Sequence, residues 1–256
     1  MTTRSLRQAL STSGPQLGAW LQMPNPVAAE AVGRAGFDWV GIDTQHGLIG
    51  YETMLHMLQA VAVSGTPTVV RVSGNIPGEI GRALDSGAQG IIVPLIESPE
   101  EAAKAADACR YPPRGHRSWG ALRPALEHVP YSPALGDDQA VCFVMVETVA
   151  GVDRIDEIVA VDGVDVVYVG PSDLASSAGL PPMLELRDAS HRALVERIAA
   201  SCQRAGRWSG IHPPSPDVSW YKEVGFNLLP VYRDLPALQE GASASIAEAR
   251  KSMGSA

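Results

Sequence analysis

Short apolar runs alternate with longer stretches of helical period along most of the chain. The runs at residues 17–21, 39–42, 68–72, 90–93, 141–146, 164–169, 208–211 and 227–230 are mainly apolar and, taken together, rich in Val and Ile. Continuous runs suit strands covered on both faces, so they predict a parallel sheet flanked by helices. The intervening segments carry the helical signal. Tyr51, Met54, Leu55, Leu58, Val61 and Ala62 fall on one face at helical spacing. Ser98, Pro99 and Glu101 read as an N-cap, a first-turn proline and the acid of a capping box.

Strand and helix alternate about eight times, which is the signature of an α/β protein of the (β/α)8 TIM-barrel class. The rival is an open, doubly wound sheet, whose first strand usually leads into a Gly-rich phosphate turn. Here that turn is Gln22-Met23-Pro24-Asn25, so the barrel is preferred. Residues 1–256 are read as a single barrel domain, with 1–14 a short lead-in and about 235–256 a C-terminal helix. The longest irregular stretch, residues 111–138, is rich in Pro, Gly and Arg, and a loop of that length is expected to be functional.

Composition narrows the class. Hydrophobic residues make up 45% of the 256, enough for a sizeable core, and aromatics only 5%, so Ala, Val, Leu and Ile are expected to build the interior. The net charge of −8, from 20 basic and 28 acidic residues with no basic run, argues against nucleic acid or an anionic membrane as partner. Cys109, Cys142 and Cys202 are too scattered for a disulfide scaffold or a C-x-x-C site, which fits a cytoplasmic protein. No stretch of about 18 apolar residues suggests a membrane span.

A barrel keeps its chemistry just beyond the C-terminal ends of its strands. Those positions carry Asp43, Gln45 and His46, then Arg71, Glu147, and Asp173 within Gly170-Pro171-Ser172-Asp173. Glu147 ends the apolar run Val141-Cys142-Phe143-Val144-Met145-Val146, and a carboxylate there needs a cation or a partner. Glu147 and Asp173 form a hard oxygen pair suited to a divalent ion such as Mg²⁺ or Mn²⁺; a salt bridge from Glu147 to Arg71 is the alternative. His46 beside Asp43 has the arrangement of a general base, or is a turn histidine. Arg71 suits a carboxylate or a developing enolate, or makes a structural ion pair. The only lysines, Lys104, Lys222 and Lys251, fall in predicted helices, which disfavours Schiff-base and pyridoxal chemistry. Dinucleotide, P-loop and nucleophile-elbow motifs do not occur, and His212-Pro213-Pro214 and Val231-Tyr232-Arg233-Asp234 lack the glycines of a phosphate cradle.

Several blocks, in order, resemble the metal-dependent pyruvate aldolases of the HpcH/HpaI family. They are Gly36-Phe37-Asp38-Trp39-Val40-Gly41-Ile42-Asp43-Thr44-Gln45-His46, Val69-Val70-Arg71, Arg110-Tyr111-Pro112-Pro113-Arg114-Gly115-His116-Arg117, Val146-Glu147-Thr148 and Val169-Gly170-Pro171-Ser172-Asp173-Leu174. The similarity runs from about residue 18 to 179. It implies a (β/α)8 barrel, a homohexamer built as a dimer of trimers, and reversible cleavage of 4-hydroxy-2-oxo acids to pyruvate, or a relative such as hydroxypyruvate, and an aldehyde. It further implies that Glu147 and Asp173 bind Mg²⁺, Mn²⁺ or Co²⁺. His46, paired with Asp43, would handle the proton of the C4 hydroxyl, and Arg71 would stabilise the enolate. Gly170, Pro171 and Ser172 would receive the substrate carboxylate, with Gln45 and Trp20 also in the substrate site.

The chain departs from the family pattern at Gln45, where Glu is frequent. It departs again at Arg117-Ser118-Trp119-Gly120, which sets an indole in a loop expected to border the pocket, and at Val231 and Tyr232 after the last strand. The expectation is therefore a carbon–carbon lyase, a metal-dependent aldolase of unspecified aldehyde. The alternative is another metal-dependent enolate lyase, a decarboxylase or a citrate-lyase-like enzyme whose thioester the basic loop 110–123 could hold. A non-catalytic barrel is the weaker reading, because no expected polar group is missing.

Overall fold

The computed structural model describes residues 4–12, 14–213 and 217–254. Parts of the expected lead-in (residues 1–3 and 13), Pro214, and residues 255–256 lie outside this range. Eight parallel strands close into a barrel in sequence order: β1 (Gln16–Leu21), β2 (Trp39–Asp43), β3 (Thr68–Arg71), β4 (Gly90–Val93), β5 (Val141–Val146), β6 (Val166–Val169), β7 (Trp208–Ile211) and β8 (Leu228–Arg233). β8 pairs back onto β1 to complete the ring. The structure is thus a (β/α)8 TIM barrel.

Around it run α1 (Leu6–Leu10), α2 (Pro26–Gly33), α3 (Tyr51–Ala62), α4 (Pro77–Asp85), α5 (Pro99–Cys109), α6 (Leu122–Glu127), α7 (Pro133–Gln139), α8 (Val149–Asp153), α9 (Ile155–Ala160), α10 (Pro171–Ser177), α11 (Ala189–Ala205), α12 (Ser219–Val224) and α13 (Asp234–Ser252). The stretch 111–138, read as irregular, contains α6 and begins α7. Ser132 caps α7 by accepting the Leu135 N–H, and Pro133 starts its first turn. Ser98 caps α5 as expected, but the Glu101 carboxylate reaches past the cap to the N–H of Glu97 at 2.8 Å.

Each strand sends alternate residues to the two sides of the barrel wall. On β5, Cys142, Val144 and Val146 face the helices, within a shell of Ala, Val, Leu and Ile, while Val141, Phe143 and Met145 face the barrel axis. The axial cluster corrects the expectation that aromatics matter little to the interior. Trp20, Trp39, Phe143 and Tyr168 are all fully buried there. Trp20 stacks on Tyr168 with ring centres 6.0 Å apart and meets Trp39 edge-on at 6.4 Å. Gly41 makes room, since a Cβ on it would collide with the Trp20 ring.

α1 closes the N-terminal mouth of the barrel. Its Leu6 and Leu10 join the axial cluster. Arg7 holds it there, bonding Asp165 at 2.8 Å and the carbonyls of Asp138 and Ala140 around the start of β5. Within the expected lead-in, α1 therefore acts as a plug. No helix among the described residues is long and apolar enough to cross a membrane.

Candidate active site

The inward alternation that fills the barrel with apolar side chains turns polar at the C-terminal ends of the strands. Beyond Trp39 and Gly41 comes Asp43, beyond Val69 comes Arg71, and beyond Val141, Phe143 and Met145 comes Glu147. These side chains meet at the C-terminal end, around a cavity of ≈ 240 Å³. Its wall is formed by Trp20, Gln22, His46, Arg71, Met145, Gly170, Pro171, Ser172, Asp173, Leu184, His212 and Arg233.

Asp43 is fully buried and grips Arg71 with both carboxylate oxygens, at 2.9 Å from Oδ1 to Nε and with a shorter contact from Oδ2 to Nη2. It also accepts hydrogen bonds from the Gln22 side-chain amide at 3.1 Å and the Trp20 indole at 3.3 Å. Burial alone would raise its pKa. The bonds and charge of Arg71, with two main-chain N–H donors, outweigh burial and hold the carboxyl below its usual range. Those N–H groups belong to Gln45 and His46, at 3.1 and 3.2 Å. Asp43 thus holds His46 through its backbone, and the expected pairing with the imidazole is replaced by the pairing with Arg71.

Arg71 keeps one nitrogen for other work. Among the described residues Nη1 meets only the Met145 sulfur, at 4.0 Å, and the guanidinium carbon lies 5.2 Å from the centre of the Trp20 ring. Glu147, just beyond β5, is 2% exposed and makes no ion pair with Arg71. It accepts one main-chain N–H, from Leu95 at 2.9 Å. Leu95 has φ +56°, a left-handed conformation that costs a leucine of order 1 kcal/mol and here aims its N–H at the carboxylate. Burial pushes the Glu147 carboxyl up to about 7, and the neighbouring charge of Asp173 adds to the rise.

A buried carboxylate beside a second one, with a single neutral donor and the charge of Arg71 already paired to Asp43, is a site short of positive charge. Both groups offer hard oxygens, and Gly170 leaves the Glu147 carboxylate its space, because a Cβ there would overlap Oε2. The pair fits a divalent cation of the Mg²⁺ or Mn²⁺ type, completed by oxygens from outside the chain. Among the described residues no third His, Cys, Asp or Glu joins them.

Of the residues singled out in the sequence, Trp20, His46, Arg71, Gly170, Pro171, Ser172 and Asp173 line the cavity, and Asp43 and Glu147 stand directly behind its wall. Gln45 does not line it; its Oε1 is buried without a hydrogen-bond partner among the described residues. Trp119 is also elsewhere, with its ring 5.2 Å from Tyr111 and 5.7 Å from Tyr131. Lys104, Lys222 and Lys251 lie on α5, α12 and α13, off the cavity wall.

Sequence reasoning missed Gln22, Met145, Leu184, His212 and Arg233. His212 Nδ1 is 2.9 Å from the Tyr168 hydroxyl, and the imidazole stands edge-on to Trp20 at 4.4 Å. Burial first, then the charges of Arg71 and Arg233, push this histidine down to about 3, so it is neutral. Extending the alternation of β1 and β7 by one step would have found Gln22 and His212, and Met145 is the last inward residue of β5 itself. Arg233 could not be found that way. In the β1–β8 ladder Gly18 faces Pro230 but Ala19 faces Tyr232, so one residue is skipped and Arg233 comes alongside Trp20. The bulge reverses the alternation of β8 and turns Arg233 into the cavity.

A second cavity, of ≈ 220 Å³ between α3 and α4, has its charges already engaged: Arg82 lies 3.6 Å over the Tyr51 ring and Glu79 accepts from the Ser73 hydroxyl at 2.6 Å.

The model of the HpcH/HpaI aldolase/citrate lyase family matches residues 16–213. A hydroxypyruvate/pyruvate aldolase from Rhizorhabdus wittichii is 35% identical over 96% of this chain and 98% of its own length. A 5-keto-4-deoxy-D-glucarate aldolase from Klebsiella pneumoniae is 36% identical over 96% of each. The crystal structure of an HpcH/HpaI aldolase/citrate lyase family protein from Burkholderia cenocepacia superimposes with a TM-score of 0.87 at 32% identity, covering 95% of this chain and 98% of that one. Match, identity and shared architecture agree with the polar ring at the barrel mouth: the chain belongs to the HpcH/HpaI aldolase/citrate lyase family and is a carbon–carbon lyase of the aldolase kind.

Proposed function

We propose that the protein is a metal-dependent aldolase that reversibly cleaves 4-hydroxy-2-oxo acids to pyruvate, or a close relative such as hydroxypyruvate, and an aldehyde. The observation that carries this reading is the meeting, at one cavity, of the Glu147–Asp173 pair and the spare nitrogen of Arg71. Glu147 and Asp173 would hold the cation, which supplies Lewis acidity to the 2-oxo group when bound. Mg²⁺ and Mn²⁺ suit the donor set, and Co²⁺ is an acceptable substitute.

The chain's own groups account for the rest of the reaction. Breaking the C3–C4 bond leaves negative charge on the 2-oxo acid fragment as an enolate, and the Nη1 hydrogens of Arg71 are held where that charge develops. Asp43 fixes the guanidinium beforehand, so little reorganisation accompanies the step. His46, exposed at the cavity rim, would take the proton from the C4 hydroxyl as the aldehyde forms and return it in the synthetic direction. The main chain at Gly170, Pro171 and Ser172 would receive the substrate carboxylate, with Trp20 as an apolar floor.

The thioester-lyase alternative is disfavoured by the loop it would use. Three of its four arginines, Arg110, Arg117 and Arg123, are engaged with Asp162, Asp85 and Glu127 at 2.6 to 2.7 Å. We further propose a cytoplasmic hexamer, which would cover Leu235, Leu238 and Ile246 exposed on α13. The test is pyruvate release from a 4-hydroxy-2-oxo acid, with and without Mg²⁺ or Mn²⁺, in Glu147→Ala and Asp173→Ala. Both variants should lose the metal-dependent rate, and its survival in both would overturn the reading.

A further inference from the structure

Charges around the cavity leave one group over. Arg71 is matched by Asp43, and the Glu147–Asp173 pair by the cation it would hold. Asp234, the acid next to Arg233 in the chain, is buried and engaged with main-chain N–H groups: it accepts from Gln22 at 3.0 Å, Met23 at 2.9 Å and Leu235 at 2.8 Å. Arg233 itself has no ion pair or hydrogen bond among the described residues, although it is half-buried on the cavity wall and near enough to His212 to depress that histidine's basicity. His212 supplies no negative charge, and Trp20 and Leu184 cannot.

A half-buried guanidinium that the fold aims inward through a strand bulge, and then leaves unpaired, calls for an anion from the ligand. The 2-oxo acid's own carboxylate is not that anion if it lies against Gly170, Pro171 and Ser172, at the end of β6, while Arg233 ends β8. The group facing Arg233 must therefore belong to the other product. At ≈ 240 Å³ the cavity falls below the roughly 300–1,000 Å³ usual for ligand pockets, so the carbon skeleton is short. The planar fork of an arginine matches a carboxylate with two parallel hydrogen bonds.

We propose that Arg233 is the specificity-determining residue for the aldehyde half of the reaction, and that this half is a short aldehyde bearing a carboxylate. The assignment rests on the aldolase reading above. It makes the cleaved compound a dicarboxylate, with one acid group at each end of the chain that is broken.

The experiment compares matched aldehydes as acceptors for pyruvate in Mn²⁺: glyoxylate against glycolaldehyde, succinic semialdehyde against butanal, and glyceraldehyde 3-phosphate against glyceraldehyde. The native enzyme should favour the carboxylated member of each carboxylate pair in kcat/KM. Arg233→Gln should reduce that preference about 10–100-fold, the size expected for a lost charge-assisted pair, and Arg233→Lys should restore part of it. A preference equal in native enzyme and Arg233→Gln would overturn the role of Arg233. A dependence on Arg233 confined to the phosphorylated aldehyde would overturn the carboxylate assignment. Exchange of the pyruvate methyl protons with solvent, followed by NMR in the native enzyme, separates the two levels. Exchange with an unchanged preference defeats only Arg233, whereas no exchange with any divalent metal defeats the aldolase reading and this proposal together.

Discussion

Asp43 and Arg71 lie at the ends of neighbouring strands, and the register that pairs them in the β2–β3 ladder also joins their side chains in a two-pronged ion pair. The pair is buried, so removing one member strands the other's charge. Asp43→Ala should lose roughly 3–5 kcal/mol of stability in chemical denaturation. Asp43→Ala/Arg71→Ala should lose less than the sum of the single changes, because the double variant strands nothing.

Replacing Arg71 by Lys keeps the charge but forfeits the fork. Lysine cannot bond both oxygens of Asp43 and still present a hydrogen to the enolate. Cleavage should fall about 10²–10³-fold in kcat, the usual cost of losing one preorganised donor at a developing oxyanion. A loss expressed only in KM would show that Arg71 binds substrate without favouring the transition state.

Gly170→Ala offers a minimal test of the carboxylate pair. The added methyl would overlap Glu147 Oε2 and displace it from the direction of Asp173. Mn²⁺ affinity, read by calorimetry or by electron paramagnetic resonance, should weaken by at least about tenfold, the scale seen when the groups that orient metal ligands are disturbed. Circular dichroism should report an intact barrel. Native affinity in Gly170→Ala would remove the cation from this site.

His46 and Arg71 act at different moments in the proposed reaction. His46→Ala should impair cleavage of the 4-hydroxy-2-oxo acid far more than exchange of the pyruvate methyl protons, because exchange involves no C4 hydroxyl. Equal losses in the two assays would refute that division.

Acid should weaken the fold through His212. Folded, this histidine resists protonation down to about 3; unfolded, it takes a proton near 6.5. Its folded pKa is depressed, so the unfolded chain binds the extra proton between those values and stability falls as pH drops through that window. The slope is at most about 1.4 kcal/mol per pH unit from this group. His212→Gln keeps a partner for the Tyr168 hydroxyl but cannot titrate. Urea denaturation at pH 6.5 and 5.0 should therefore show a smaller acid loss in His212→Gln than in the native protein, and parallel losses would contradict the assignment.

The fold was legible in the chain because a barrel strand announces itself twice, as a Val- and Ile-rich run and as a polar residue where the run stops. Asp43, Arg71 and Glu147 were visible for that reason. The partners each of them chose were less visible. Asp43 is three residues from His46 and 28 from Arg71, and proximity in sequence suggested the wrong companion; the strand register decided otherwise. Arg233 was hidden for a different reason: a one-residue bulge inverts which side of β8 faces in, and no local composition marks it. The low aromatic total also misled, since it says nothing of where those rings gather.

The plug formed by α1 makes the barrel a blind tube. With Leu6 and Leu10 seated beneath Trp20, Trp39 and Tyr168, nothing passes along the axis, and whatever enters at the C-terminal mouth must leave by it. In the proposed reaction one fragment is tethered among Glu147, Asp173 and Arg71, while the other faces the rim at His46. Traffic through a single doorway then becomes a queue: the aldehyde is the first product out and the second substrate in, and the 2-oxo acid is the last to leave.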